Sequence, residues 1–366
     1  MKVLFLTNVP SPYRVDFFNE LGKYCDLTVL FEKSTSDERD ESWKKYRFEH
    51  FQGVLLKGVS IDTDSAICFE VTKYLKPGFY DHIIVSNFLS PTGMIAITHM
   101  RQRKMEYWLE SDGGFAKDGK GLKEKLKTHF IRGAKGYFST AVEHDRYYLQ
   151  YGAEAEKLHR FPFTSLRQAD VLEKPVEASE KRELREKLNM KEEKIVVSVG
   201  QFVYRKGYDV LFNALAKSDA NLGCYIIGGV PTEEYLSQLQ SLGLKNVHFV
   251  GFQLKQQLAE YYKAADVFVL PTREDIWGLV VNEAMANGLP VVTTDRCIAG
   301  LAMVEPKKNG IIVPVENADA LKNALEKLLY QVNLEEYSAR SVETAREYTI
   351  ERMAQVHVQI LNPSGK

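Results

Sequence analysis

Short apolar runs alternate with stretches of helical spacing, and this alternation passes through the chain twice. VLFLT (3–7) reads as a buried strand, VDFFNELGKY as a helix and LTVLFE (27–32) as a second strand. DHIIVSN (81–87), PTGMIAITHMRQ, MEYWLES (105–111), GYFSTA (136–141) and VEHDRYYLQYG continue the pattern. It restarts at KIVVSVGQF (194–202) and runs through YDVLFNALAK, CYIIGG (224–229), EEYLSQLQSLG, VHFVGF (247–252), LAEYYKAAD, VFVLPT, GLVVNEAMANG, PVVTT and IIVPV (311–315). Strands followed by helices imply parallel sheets covered on both faces, an α/β architecture of Rossmann-like units. Ligands of open parallel sheets bind at the carboxyl ends of the strands. Two such sheets facing each other would leave a cleft there.

A chain of 366 residues suits two domains. The stretch RQADVLEKPVEASEKRELREKLNM, polar and charged, divides them. We read residues 1–168 as the first domain, 169–190 as a linker with a surface helix and 191–345 as the second domain. A terminal helix over 346–366 would cross back to the first. The formal net charge of −1 gives no general pull toward nucleic acid, and none is expected as a partner. Cys25, Cys68, Cys224 and Cys297 form no C-x-x-C, and their apolar surroundings read as reduced thiols. His129, His144 and His159 are scattered and form no ligand pair such as H-x-x-x-H, and no metal or cofactor is expected. MKVLFLTNVPSPYR lacks the apolar core of a signal peptide, and no window reaches the ~18 apolar residues of a membrane span, so a cytoplasmic chain is expected.

PTREDIWGLVVNEAMANGLPVVTT (271–294) carries the densest chemistry. A strand, VFVLPT, leads into a loop with Glu274 and Asp275, then into a helix starting at Gly278. The first N–H groups of that helix, around Leu279 and Val280, face outward with the positive dipole end and suit a phosphate. Glu283, about one and a half turns in, would reach hydroxyls on one side, and Asp275 on the other. A sugar nucleotide has that layout. A capped helix with solvated acids has the same spacing. In VGQFVYRKGYD (199–209), Gly200 ends a strand and Arg205 and Lys206 follow in the loop. A guanidinium fork beside a point charge suits a diphosphate, and a solvated basic turn is the alternative.

GQFVYRKGYDVLFNAL, YIIGG, VHFVGF and YYKAADVFVLPTREDIWGLVVNEAMANGLPVV, in that order, resemble the donor domain of family 4 retaining glycosyltransferases of the GT-B fold. NVPSPYRVDFFNEL and YFSTA…YGA are similar to a bacterial subgroup that builds capsular or exocellular polysaccharide. The resemblance implies a hexosyltransferase that takes a nucleotide-diphosphate sugar, a UDP-sugar first, to a polyprenyl-diphosphate-linked oligosaccharide. It places the two acids of the family's E-x7-E motif on Asp275 and Glu283, the second on the ribose. Arg205 and Lys206 match the cationic pair on the diphosphate. Gly200, Glu274, Gly278, Leu279 and Val280 fall beside the donor, and no metal is implied.

Some positions depart from that pattern. The first acid is an aspartate, Gln201 stands where an arginine is common, and SPYR (11–14) replaces a Gly-Gly. In place of an acceptor-domain histidine, LESDGG offers Ser111 and Asp112, with Glu110 a lesser candidate. Asp112 would orient a hydroxyl, or serve only as a turn residue. KDGKGLKEKLKTHFIRGAKG (117–136) is basic, with Leu122, Leu126 and Phe130 spaced at four, and would lie on an anionic membrane surface or form an ordinary solvated helix. A sugar-nucleotide epimerase of the same fold and a non-catalytic nucleotide-sugar-binding subunit are the rival readings.

Overall fold

The computed structural model describes residues 1–34, 47–117, 119, 121–218 and 222–363. Asp118 and Lys120 of the basic stretch, and residues 364–366 of the terminal segment, lie outside them. The chain forms two units, Met1–Ser165 with Thr349–Lys366, and Leu166–Tyr348.

The strands of the first unit are β1 (Lys2–Thr7), β2 (Asp26–Phe31), β3 (Gln52–Leu55), β4 (Val59–Ser60), β5 (Ala66–Ile67), β6 (His82–Val85), β7 (Trp108–Glu110), β8 (Gly136–Ser139) and β9 (Leu158–Arg160). Its helices begin with α1 (Pro12–Leu21), α2 (Pro91–Gln102), α3 (Leu122–Ile131) and α4 (Val142–Gln150). Seven strands form one parallel sheet in the order β3-β2-β1-β6-β7-β8-β9, and β4 pairs with β5 apart from it. After its first residue β1 is buried throughout, as a strand covered on both faces must be. Helix α1 starts earlier than its apolar spacing suggests, because Pro12 follows an extended Ser11 and is preset for a first helical turn.

The second unit contains α5 (Ala178–Lys187), β10 (Lys194–Val199), α6 (Tyr208–Leu215), β11 (Leu222–Ile227), α7 (Glu233–Leu242), β12 (Val247–Val250), α8 (Lys255–Ala264), β13 (Val267–Leu270), α9 (Leu279–Ala286), β14 (Val291–Thr294), α10 (Ile298–Met303), β15 (Gly310–Val313), α11 (Ala318–Tyr330) and α12 (Leu334–Arg346). Its parallel sheet has the order β12-β11-β10-β13-β14-β15. Strand order therefore reverses between β10 and β13, the switch point at which such sheets open a crevice at their carboxyl edge. Helix α5 belongs to this unit. Arg185 Nε donates to Ala264 O of α8 at 2.8 Å, and Lys187 pairs with Glu260 at 2.6 Å.

The strands stop short of the apolar runs that encode them. KIVVSVGQF ends at Val199 and VFVLPT at Leu270. Phe202 is apolar because it folds back onto Tyr208 and Phe249, at 5.1 and 5.2 Å, not because it extends the ladder. Pro271 offers no N–H to continue one. These surplus residues form the loops of the carboxyl edge.

The tail, helical throughout in pattern, breaks at 347–349. Thr349 caps a new helix, α13 (Ile350–Leu361), by accepting from Arg352 N–H. Helix α13 packs on α1 in the first unit, where the His357 ring stacks on Phe138 at 4.5 Å.

Candidate functional site

The loops after β10 and β13 meet at the switch point. Gly207, at φ +69°, starts α6 so close to the second loop that a Cβ would lie 2.1 Å from Pro271 O. Arg205 O accepts from Thr272 Oγ1 at 2.8 Å and from Arg273 N–H at 2.7 Å. Arg273 then locks the splice. Its guanidinium donates to Tyr204 O at 2.7 Å, grips Asp209 at 2.9 and 2.6 Å, pairs with Glu316 and lies over the Tyr204 ring at 3.9 Å. Hydrogen bonds donated to Asp209, outweighing burial, hold Arg273 firmly charged.

Fixed this way, Arg205 and Lys206 face Asp275. Lys206, 7% exposed, places Nζ 2.7 Å from Asp275 Oδ2, and Arg205 Nη1 lies 3.7 Å from the same oxygen. The structure thus brings three of the anticipated residues together. Asp275 is held from behind: its N–H donates to Arg296 O at 2.8 Å, and its carbonyl accepts from Ile298 N–H. Glu274 points elsewhere, toward Arg296 Nη2 at 3.0 Å.

Gly278 follows at φ +102°, and a Cβ there would meet Cys297 Sγ at 2.8 Å. Only glycine fits that backbone and that contact. The Cys297 thiol, pushed up to about 12 chiefly by burial, is a packing group. Gly278 offers no side-chain cap, so the leading N–H groups of α9, those of Leu279 and Val280, stay available to an anion. Trp277 anchors the turn by donating from Nε1 to Asn282 Oδ1 at 2.8 Å. Gly200 directly follows β10, and its carbonyl accepts from the Tyr208 hydroxyl at 3.2 Å.

Glu283 projects from α9 next to a partner that the sequence did not reveal. Tyr262 of α8 donates its hydroxyl to Glu283 Oε2 at 3.0 Å. Burial pushes the Glu283 carboxyl up to about 7, against the pull of Tyr262 and Lys255. Such a carboxyl ionises readily when a ligand supplies hydroxyl donors.

Asp112 lies in the first unit, after β7. Arg14 Nη2 contacts Asp112 Oδ1 at 2.5 Å, and the Tyr13 hydroxyl donates to Oδ2 at 3.2 Å. The SPYR segment therefore has a definite role here. The other arm of Arg14 meets the fully buried Glu110 at 2.6 Å, and Glu110 accepts from His357 Nε2 at 2.9 Å. Burial raises the Glu110 carboxyl, but Arg14 and His357 prevail and hold it below its usual range. Glu110 is thus a buried anchor and Asp112 the partly exposed end of the chain of contacts. Ser111 bonds to His144 Nε2 at 2.9 Å, while Thr140 N–H donates to His144 Nδ1 at 3.1 Å. That tautomer makes Nε2–H the donor to Ser111, and burial pushes His144 down to about 3. The pair is not a base and nucleophile.

Sequence reasoning missed Arg273, Tyr262, Tyr13, Arg14 and His357 as site supports. Arg273 was visible beside the acidic pair, but Asp209 and Glu316 stand 64 and 43 residues away along the chain. Among the described residues no group of three or more His, Cys, Asp or Glu is arranged to hold a metal ion, and no helix is long and apolar enough to cross a membrane. All four cysteines are free thiols.

Residues 180–348 match the glycosyl transferases group 1 family. An uncharacterised glycosyltransferase of Methanocaldococcus jannaschii, MJ1607, is 34% identical over 151 residues, 40% of this chain and 38% of that protein. The putative teichuronic acid biosynthesis glycosyltransferase TuaC of Bacillus subtilis is 26% identical over 253 residues, 67% of this chain and 61% of that one. The chain therefore matches less than two thirds of the length of either relative. The crystal structure of Anabaena Alr3699/HepE in complex with UDP superposes with a TM-score of 0.80 at 16% identity, covering 99% of this chain and 100% of that one. That likeness shows the fold, a pair of Rossmann-like parallel-sheet units of the GT-B kind. The family match, residues 180–348, falls within the second unit, Leu166–Tyr348.

Proposed function

We propose that the protein is a retaining glycosyltransferase. It would move a hexose from a nucleotide-diphosphate sugar, a UDP-sugar, to a hydroxyl of a polyprenyl-diphosphate-linked oligosaccharide during cell-surface polysaccharide synthesis. The observation that carries this reading is the nearly buried Lys206–Asp275 contact of 2.7 Å beside the uncapped start of α9. A cation pair, a helix N-terminus and two flanking acids match a diphosphate with hydroxyls on either side. The UDP in the HepE structure and the polymer named for TuaC support the choice of donor and pathway.

In the proposed reaction the bond from the anomeric carbon to the diphosphate oxygen breaks. The acceptor oxygen bonds to the same face of that carbon, and its proton passes to the leaving phosphate oxygen. Arg205, Lys206 and the Leu279 and Val280 N–H groups stabilise the charge that develops there, work a metal ion performs in other sites. Glu283 holds the ribose, Asp275 the sugar hydroxyls, and Asp112 orients a hydroxyl of the acceptor or donor. The place of action is the inner face of the cell membrane.

The test is a panel of UDP-, GDP-, ADP- and dTDP-sugars, read first by thermal shift and then by nucleotide release with a membrane lipid extract. Stabilisation by a UDP-sugar with lipid-dependent release is expected, unchanged by a chelator. No stabilisation by any nucleotide would overturn the reading, and binding without release in any extract would favour a binding subunit.

A further inference from the structure

Helix α3 is fixed to the first unit by one end and leaves an amphiphilic face uncovered. Phe130 and Ile131 are buried, whereas Leu122 is 87% exposed and Leu126 45%. Leu122, Lys125, Leu126 and His129 follow one another at the spacing that brings helical side chains onto one face. Two bare leucines among cations need an apolar acceptor with anions beside it.

The charge balance is one-sided. Residues 117–136 contain six lysines and Arg132 against Asp118 and Glu124. Glu124 is met by Lys127 at 3.6 Å, and Lys127 in turn bonds the Tyr151 hydroxyl at 3.2 Å. Lys123, Lys125 and Arg132 make no ion pair among the described residues.

Beside this face lies a cavity of about 630 Å³, lined by Arg101, Glu124, Lys125, Thr128, His129 and Arg132 together with two glycines. Arg101 is a wall and not a free ligand. Its guanidinium donates to the carbonyls of His129 and Arg132 at 2.7 and 2.5 Å and closes the end of α3. Lys125 and Arg132 remain for an incoming anion.

We propose that this face docks on an acidic lipid surface. Leu122 and Leu126 enter the acyl boundary, and Lys125 and Arg132 hold a head-group phosphate at the cavity. The proposal rests on the lipid-linked acceptor only for its purpose, since the docking itself is a property of the first unit. Each basic residue near an acidic membrane contributes roughly fivefold in affinity, so three together contribute on the order of a hundredfold.

The experiment uses the full chain and sedimentation with phosphatidylcholine vesicles, with and without phosphatidylglycerol. The variants are Lys123→Glu/Lys125→Glu/Arg132→Glu and Leu122→Ser/Leu126→Ser, each checked for an unchanged melting temperature. Wild-type protein is expected to sediment with the acidic vesicles alone and to detach as salt rises. The charge variant should lose on the order of a hundredfold, and the leucine variant should also weaken. Failure of the wild type to bind acidic vesicles, equal binding to neutral ones, or undiminished binding by the charge variant would each overturn the proposal. So would binding of inorganic phosphate without binding of vesicles. UDP-sugar affinity measured in parallel separates the two ideas: its absence with intact vesicle binding defeats only the transferase reading.

Discussion

Lys206 and Asp275 form a nearly buried ion pair, 2.7 Å apart, across the two loops that meet where strand order reverses. Each is the other's counter-ion, and Arg205 stands at 3.7 Å as a second, half-exposed cation. In the proposed reaction a ligand phosphate would enter a site whose charge is already balanced and whose cation is already aimed.

Lys206→Ala should lower turnover by roughly 10²–10³. Loss of one partner leaves the other buried, so it should also cost about 3 kcal/mol of stability. The double variant Lys206→Met/Asp275→Asn should regain most of that stability and none of the turnover. Chemical denaturation and single-turnover transfer separate the two effects. Near-normal turnover of Lys206→Ala at saturating donor would remove its catalytic role.

Nucleotide-sugar affinity should rise with pH through about 7, where Glu283 loses its proton and becomes the better acceptor for ribose hydroxyls. The diphosphate of a nucleotide sugar has no group titrating there. Tyr262→Phe removes a donor to the carboxylate and should move the midpoint upward, while Glu283→Gln should flatten the profile. Calorimetric titrations over pH 5.5 to 8.5, about the span of the transition, read this. An unshifted midpoint in Tyr262→Phe would reduce the tyrosine to packing.

The same carboxyl couples to stability with a definite sign. Its folded value lies above its ordinary 4.5, so the native state keeps a proton that the unfolded state has lost. Stability should thus fall as pH rises from about 4.5 to about 7, by up to about 3 kcal/mol. Burial raises Glu32 to about 7 as well, and it acts in the same direction. The informative quantity is the difference between wild type and Glu283→Gln across that window.

Arg273→Lys should behave much like Arg273→Ala. A lysine can neither grip Asp209 with two nitrogens nor cover the Tyr204 ring. Either change should free the loop carrying Arg205 and Lys206, costing about 3 kcal/mol of stability and at least tenfold in kcat/KM. Unchanged kcat/KM with reduced stability would make the clamp purely structural.

Arg14→Met should destabilise the first unit by about 3–5 kcal/mol, because Glu110 is fully buried and would lose its main counter-charge. Asp112→Asn should cost little stability, since Asp112 is partly exposed, but should lower transfer if it orients a hydroxyl. Thermal melts beside transfer assays distinguish them.

The alternation of apolar and helical runs reports local backbone geometry, which is why the second sheet, five of the seven strands of the first and nearly every helix were readable, while the short edge strands β3 and β9 were not. So was the placement of Gly200, Arg205, Lys206, Asp275 and Gly278 between strand ends and helix starts, because those boundaries are local too. What each side chain touches was not readable. The sequence could not say that Asp275 would neutralise Lys206, 69 residues away, while Glu274 beside it turned to Arg296. Nor could it place His357 of α13 on Glu110, 247 residues earlier.

Residue periodicity and turn chemistry set the elements of this protein, its two α/β units and the loops that carry charge. Only the tertiary structure decided the pairings: Arg273 as a clamp, Tyr262 on Glu283, Arg14 between Glu110 and Asp112. Periodicity acts over a few residues, whereas a buried charge accepts whichever partner the packed chain brings within about 3 Å.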